Sequence, residues 1–176
     1  MVGVNPDGPG GRIHHSDPFA TPEADRSPTR RLRGRLASPV TLWTTPGPAG
    51  LTVSSTVVAD GDPARVLGVV DAESEFWAEA EHAGRFAVAP LTAADRQLAD
   101  RFAGLMPAPG GLFAQERWHE TPYGPVPGGT WAGCRLDGAE PFGWGLLVRG
   151  TIEAVEVGPD TGPLLHHRGR YRTLAG

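Results

Sequence analysis

The chain has no lysine, a single cysteine and no apolar run near the roughly 18 residues that a membrane-crossing helix needs. Each shortage removes a class of protein. Cys134 alone can form no intramolecular disulfide and no cysteine-based zinc site within the chain, which fits a reducing compartment. All 16 basic residues are arginines, set against 20 acidic residues for a formal charge of -4, and a nucleic-acid surface would need denser positive charge. Residues 1–15 lack the apolar core of a signal peptide. A cytoplasmic protein engaging neither nucleic acid nor membrane is expected. What is plentiful is turn chemistry: 25 Gly and 18 Pro in 176 residues imply many short strands joined by turns. That length suffices for one domain with its own core.

Residues 1–33 read as a flexible N-terminal extension, because PDGPGG, SDP, TPE and the basic run Arg30, Arg31, Arg33 carry no apolar period and offer no packing face. His14 and His15 have no neighbouring carboxylates and read as solvent-exposed, so no metal site is expected. Residues 34–176 read as the folded domain. Residues 39–45 alternate with β-branched residues, residues 46–50 (PGPAG) turn the chain, and residues 51–58 resume the strand pattern, which together predict a hairpin. Residues 66–70 form a further short, buried strand.

A helix is predicted over 74–83, with Ser74 as N-cap, Phe76, Trp77, Ala80 and Ala83 on one face, and Gly84 as the left-handed stop. Residues 86–89 return to strand. Thr92 and Asp95 resemble a capping box ahead of a second helix striped by Leu98 and Phe102. Residues 106–129 are rich in Pro and Gly and predict a long contact-bearing loop holding Phe113, Trp118 and Tyr123, aromatics with no evident partner within the chain. Three strands are expected over 131–136, 142–149 and 151–157. About seven strands and two helices point to a β-barrel with helical crossovers.

Within it, Leu51, Thr52, Val53, Ser54 and Ser55 mix apolar and hydroxyl residues between turn-forming segments, so this strand can offer hydroxyls and backbone N–H groups to an anion. The plain alternative is a strand with Ser and Thr facing solvent. There is no Gly-x-Gly-x-x-Gly, no Gly-x-Ser-x-Gly and no Walker motif to support a dinucleotide fold, a hydrolase or a P-loop. Cys134 lies in a predicted strand and reads as buried and inert.

PVTLWTT, AGLTVSS, AGRFAVAPL, RFAG and PLLHHRGRYR, taken in order, make the stretch from Leu36 to Arg172 resemble the flavin reductase-like family of FMN-binding split barrels. The resemblance implies a mainly β fold: a six- to seven-stranded antiparallel Greek-key split β-barrel with short crossover helices, forming a homodimer. It implies an oxidoreductase binding FMN, with FAD as a second flavin and NADH or NADPH as co-substrate, in the manner of a flavin reductase supplying a monooxygenase partner. The alternative is a non-catalytic split-barrel module that binds flavin weakly or not at all. Carried onto this chain, Leu51, Thr52 and Val53 would meet the ring, and Ser54 and Ser55 the ribityl chain or phosphate. Asp71, Ser74 and Phe76 would close over the phosphate, Phe113 and Trp118 would approach from near the dimer boundary, and His167 and Arg168 would stand beside the cofactor.

The chain also departs from that pattern. Phe76 stands where the resemblance implies a second hydroxyl two residues after Ser74, and Glu73 and Glu75 flank that serine; a carboxylate about 6 Å from a phosphate would cost roughly 3 kcal/mol at an effective dielectric near 20. The two glutamates point to water, or are neutralised by an arginine such as Arg65 or Arg85, or phosphate binding has been lost. Gly145 stands where family reductases often carry a histidine, so no catalytic residue is assigned.

Overall fold

The computed structural model describes residues 22–114 and 117–174. In chain order the elements are α1 (Pro28–Arg35), β1 (Ser38–Pro39), β2 (Thr41–Thr44), β3 (Gly50–Val53), β4 (Val57–Ala59), β5 (Arg65–Val70), α2 (Glu75–Ala83), β6 (Arg85–Pro90), α3 (Arg96–Phe102), β7 (Trp131–Phe142), β8 (Gly145–Glu156), β9 (Leu165–His167) and β10 (Arg170–Arg172). Seven strands make one antiparallel sheet in the order β3-β2-β6-β7-β8-β5-β4, and β1, β9 and β10 make a small second sheet.

The two outermost strands of the large sheet, β3 and β4, are neighbours in sequence, separated only by residues 54–56. From Val53 to Val57 the chain reaches roughly 14 Å at most, so the sheet has to curl until its edges meet. The backbone ladder does not close it. A side chain does: the Ser55 hydroxyl accepts the Val69 N–H at 2.8 Å and donates to the Val69 carbonyl at 3.1 Å, joining the end of β3 to β5. The fold is thus mainly β and of the split-barrel type, antiparallel throughout and not closed by its ladder.

Inside the curl, Trp43, Phe76 and Phe86 are fully buried. Trp43 stacks on Phe86 with centroids 4.9 Å apart, and Phe76 meets both rings edge-on. Room for the indole is made at Gly68, where a Cβ would come within 2.7 Å of it. Helix α2 plugs the barrel with Phe76 and Ala80. Its sequence signals act as expected: the Ser74 hydroxyl accepts the Trp77 N–H, and Gly84, at φ 68°, donates its N–H to the Ala80 carbonyl. Asp95 accepts from the Thr92 N–H and hydroxyl, opening the turn that runs into α3. A second core beneath α3 gathers Val40, Leu42, Leu91, Leu98, Phe102 and Leu164, and Tyr171 of the small sheet packs against it.

Several expectations are revised. The run 51–58 is not one strand: it bends at 54–56 because Ser55 and Thr56 turn their hydroxyls inward, to Val69 and to Thr41, and β4 then pairs with β5. The three strands expected over 131–157 are two, β7 and β8, joined at Gly143 and Trp144. Gly150 does not break the strand. It lies where a Cβ would meet the Phe86 ring at 2.8 Å, so it marks a close approach rather than a turn. The loop over 106–129 also contributes to a core, since Val126 is buried with Ala87, Ala89 and Trp131. Of the N-terminal extension, residues 1–21, with His14 and His15, lie outside the described residues; the rest includes α1, capped by Ser27 and bearing no buried side chain. Among the described residues no helix is long and apolar enough to cross a membrane.

Candidate functional site

Strand β3 pairs with β2 on one side only, so its far edge carries no ladder. From Gly50 to Ser55 that edge runs for about 17 Å at the usual rise per residue. At its first end lie the turn between β2 and β3 and a cleft of about 310 Å³ lined by Pro46, Pro48, Phe113, Trp118, Glu120 and Pro125. At its last end lie residues 54–56, tied to β5 just ahead of the turn that starts α2.

The hydroxyls of this strip divide sharply. Thr52 is buried and donates to the Ala99 carbonyl at 2.7 Å, fastening β3 to α3. The Thr41 hydroxyl donates to the Val53 carbonyl at 2.7 Å, and Thr56 lies 2.7 Å from Thr41. With the Thr41 proton committed to that carbonyl, the Thr56 hydroxyl is the donor of the pair, and the Trp43 indole N–H is shared between both oxygens. Ser55 is committed to Val69. Ser54, half-buried, is the one hydroxyl from Thr52 to Thr56 with no hydrogen bond to a described residue. Leu51 is half-buried and packs on the first core, and Val53 lies within it; their backbone groups face Trp43 and Thr41 of β2, so the backbone turned to the open edge is that of Gly50 and Thr52.

At the far end, Ser74 caps α2 and donates to the Asp71 carbonyl, while Asp71 accepts the Glu73 N–H. Phe76 is wholly internal; what it can present is its backbone. The N–H groups of Glu75 and Phe76 fall in the first turn, where no intrahelical acceptor exists, and they add to the positive end of the helix. Glu73 and Glu75 are exposed. Arg65 does not serve them: it pairs with Asp137 at 2.7 Å on the outer face, in a network that Arg135, Glu153 and Thr151 extend.

Phe113 and Trp118, expected to lack partners in the chain, have them. Phe102 meets Phe113 at 5.0 Å and Trp118 at 5.8 Å, and the Trp118 N–H donates to the Phe113 carbonyl. Tyr123 is likewise held, its hydroxyl bonded to Glu153. Gly50 admits the first of these clusters, since a Cβ there would come within 2.6 Å of Phe102 and 3.3 Å of Phe113. The two rings thus wall the cleft at the head of β3. His167 ends β9 of the small sheet and Arg168 follows it, whereas Leu51, Thr52 and Val53 belong to the large sheet. Arg168 (φ 52°) and Gly169 (φ 75°) form the tight turn between β9 and β10, and the Arg168 N–H donates to Gly34. Cys134 is buried, and burial first, then Glu153 and Asp137, push its thiol up to about 12. It is no nucleophile.

The structure therefore sets Leu51 to Ser55 along β3 and just beyond it, with Phe113 beside Gly50 at one end and, at the other, Ser55 tied to Val69, two residues before Asp71 in the turn that leads to the Ser74 cap. Sequence reasoning missed Pro46, Pro48 and Glu120, whose signal was the PGPAG turn opposite the loop aromatics. It also missed Thr56, whose inward hydroxyl nothing in the local pattern distinguishes.

The sequence matches the Flavin reductase like domain over residues 33–175. It is 31% identical over 166 residues to the FMN reductase (NADH) RutF of Methylorubrum extorquens strain DM4, covering 90% of this chain and 80% of that one. It is also 31% identical to the NADH-dependent FMN reductase AsuE2 of Streptomyces nodosus subsp. asukaensis, covering 86% of each. Among solved structures, nitrilotriacetate monooxygenase component B from Mycobacterium thermoresistibile superposes with a TM-score of 0.76 at 27% identity, covering 84% of this chain and 85% of that one.

Proposed function

From the premise that the chain belongs to the flavin reductase-like family, we propose that it binds FMN along the open edge of β3 and, as an NADH-dependent oxidoreductase, supplies reduced flavin to a separate monooxygenase. The observation that carries this reading is the edge itself: a strand, Gly50–Val53, paired on one side only, an aromatic cleft at one end, and at the other the uncommitted Ser54 hydroxyl next to the Ser55–Val69 tie. The residues fit the group. Outward backbone of Gly50 and Thr52 suits the polar edge of a planar ring, and Ser54 with the N–H groups of Glu75 and Phe76 suits a phosphate. When bound, the flavin takes a hydride from NADH and a proton from solvent, yielding reduced flavin and NAD+. The protein's part is placement: Phe113 and Trp118 wall one end of the groove, and Ser55 fixes its other end by tying β3 to β5.

The relatives' names support NADH over NADPH, and the monooxygenase component among the similar structures supports such a partner. A homodimer and a cytoplasmic setting belong to the same reading. The dimer rests on exposed apolar side chains such as Val57, Val58, Val155 and Val157, now that the loop aromatics are accounted for within the chain. Flavin titrations read by fluorescence test the proposal, with FMN and riboflavin compared. Tight FMN and weak riboflavin are expected. Equal affinities would remove the phosphate assignment, and absence of both flavin binding and NADH oxidation would leave a split barrel with other work.

A further inference from the structure

The hairpin joining β7 to β8 ends in two largely exposed aromatic rings: Trp144 is 70% exposed and Phe142 58% exposed. A solvent-facing tryptophan at a hairpin tip contributes little to folding, yet the tip is tightly built. Phe142 pairs with Gly145 across a two-residue connection, and Gly143 supplies the positive φ, 59°, that its first position requires. Glycines flank Trp144 on both sides, so neither sequence neighbour brings a side chain against the indole.

The register fixes where this tip lies. Leu146 of β8 is opposite Val70, the last residue of β5, so Gly145 and Trp144 stand level with Asp71 and the turn leading to the α2 cap. Val69, one residue earlier, is the partner of Ser55. The rings therefore border the end of the barrel at which Ser54, Ser55 and the first turn of α2 converge. We propose that Trp144, with Phe142 beside it, is a stacking platform for a ring of the incoming dinucleotide, a residue that sets affinity for the reductant. The inference rests on the flavin reductase reading. An indole is the fitting chemistry: it offers a broad π face to a planar nicotinamide or adenine ring without burying a charge next to the transferred hydride.

The test uses the full chain and three proteins: wild type, Trp144→Ala and Trp144→Phe. Steady-state oxidation of NADH is measured with FMN as acceptor, alongside reduced nicotinamide mononucleotide, which lacks the adenosine. Trp144→Ala is expected to raise the KM for NADH about three- to tenfold with kcat within about twofold, while FMN affinity and melting temperature stay unchanged and Trp144→Phe recovers most of the loss. A rise in KM with both reductants places the nicotinamide on the indole; a rise with NADH alone places the adenine there. An unchanged KM for NADH overturns the proposal, and so does a rise accompanied by equal loss of FMN binding and of melting temperature. A wild-type protein that does not oxidise NADH would instead overturn the parent reading, a result separable from failure of this one.

Discussion

Two aromatic triads of the same composition, one Trp and two Phe, divide the labour of this molecule. Trp43, Phe76 and Phe86 come from β2, α2 and β6, are sealed from water and fill the barrel. Phe102, Phe113 and Trp118 come from α3 and the long loop, and only Phe102 is fully buried; the other two line a cleft. Ring-to-ring geometry is much alike in both. What differs is the backbone behind them: regular strands and a helix in the first case, and in the second a loop joined across itself by the β-bridge between His119 and Val126. A triad fixed by strands serves the fold. A triad carried by a loop at an open edge can serve a ligand.

Truncation should separate the two most strongly. Phe86→Ala removes the ring that stacks on Trp43 and fills the space over Gly150, and is expected to cost about 3–5 kcal/mol in urea denaturation. Phe113→Ala should cost less than half of that while weakening flavin binding, because its ring already borders solvent. If Phe113→Ala proves as destabilising as Phe86→Ala, the second triad is simply another core, and the contrast fails.

Ser54 and Ser55 repeat the contrast one residue apart. Ser55→Ala strips the Val69 N–H and carbonyl of their partner at the barrel seam and should cost about 1–3 kcal/mol. Ser54→Ala should leave stability untouched and weaken FMN about tenfold or more, with riboflavin unaffected. Reversed outcomes would move the phosphate from Ser54 to Ser55 and leave the seam without its fastening.

Much of the sealed region was legible in the residues. The Ser74 cap, the Gly84 stop, the Thr92 and Asp95 pair and the strand over 85–90 all follow from local chemistry that tertiary structure had no reason to override. The open region was less so. That Phe113 and Trp118 fold back on Phe102 depends on Gly50 leaving space for them, a contact more than 50 residues distant in sequence. The division of five consecutive residues into committed hydroxyls and an uncommitted one depends on acceptors supplied by β2, β5 and α3. Gly150 misled for a related reason: a glycine that admits a neighbouring ring looks, in sequence, like one that turns the chain.

Glu73 and Glu75 give a smaller effect. Both are exposed, so solvent and salt screen them from an anion at the start of α2. Replacing both with Ser should tighten FMN by no more than about tenfold, with riboflavin unchanged and the gain shrinking as salt is added. A hundredfold gain would show that the carboxylates face the groove.

The smallest expected effect is pH-dependent and falls on the margin of the second triad. His166, paired with Ser38 and Tyr171 in the small sheet, has its imidazole held below its ordinary value, first by burial and then by the charges of Arg33, His167 and Arg26. A folded-state value below the unfolded one near 6.5 means that the unfolded chain binds the extra proton more readily. Its contribution to stability is therefore complete above about pH 6.5 and is lost as pH falls below that. Tyr171 lies edge-on to His166 and packs on the core that holds Phe102, so the loosening should begin there and leave the Trp43 triad intact. Hydrogen exchange at pH 7.5 and pH 5, each corrected for the intrinsic rate at that pH, reads this directly: faster corrected exchange at pH 5 is expected in β9 and β10, with β2 and β6 unchanged, and His166→Gln should abolish the difference. Equal acceleration across both regions would mean that the two triads open together, and that the loop-built cluster is no looser than the barrel it adjoins.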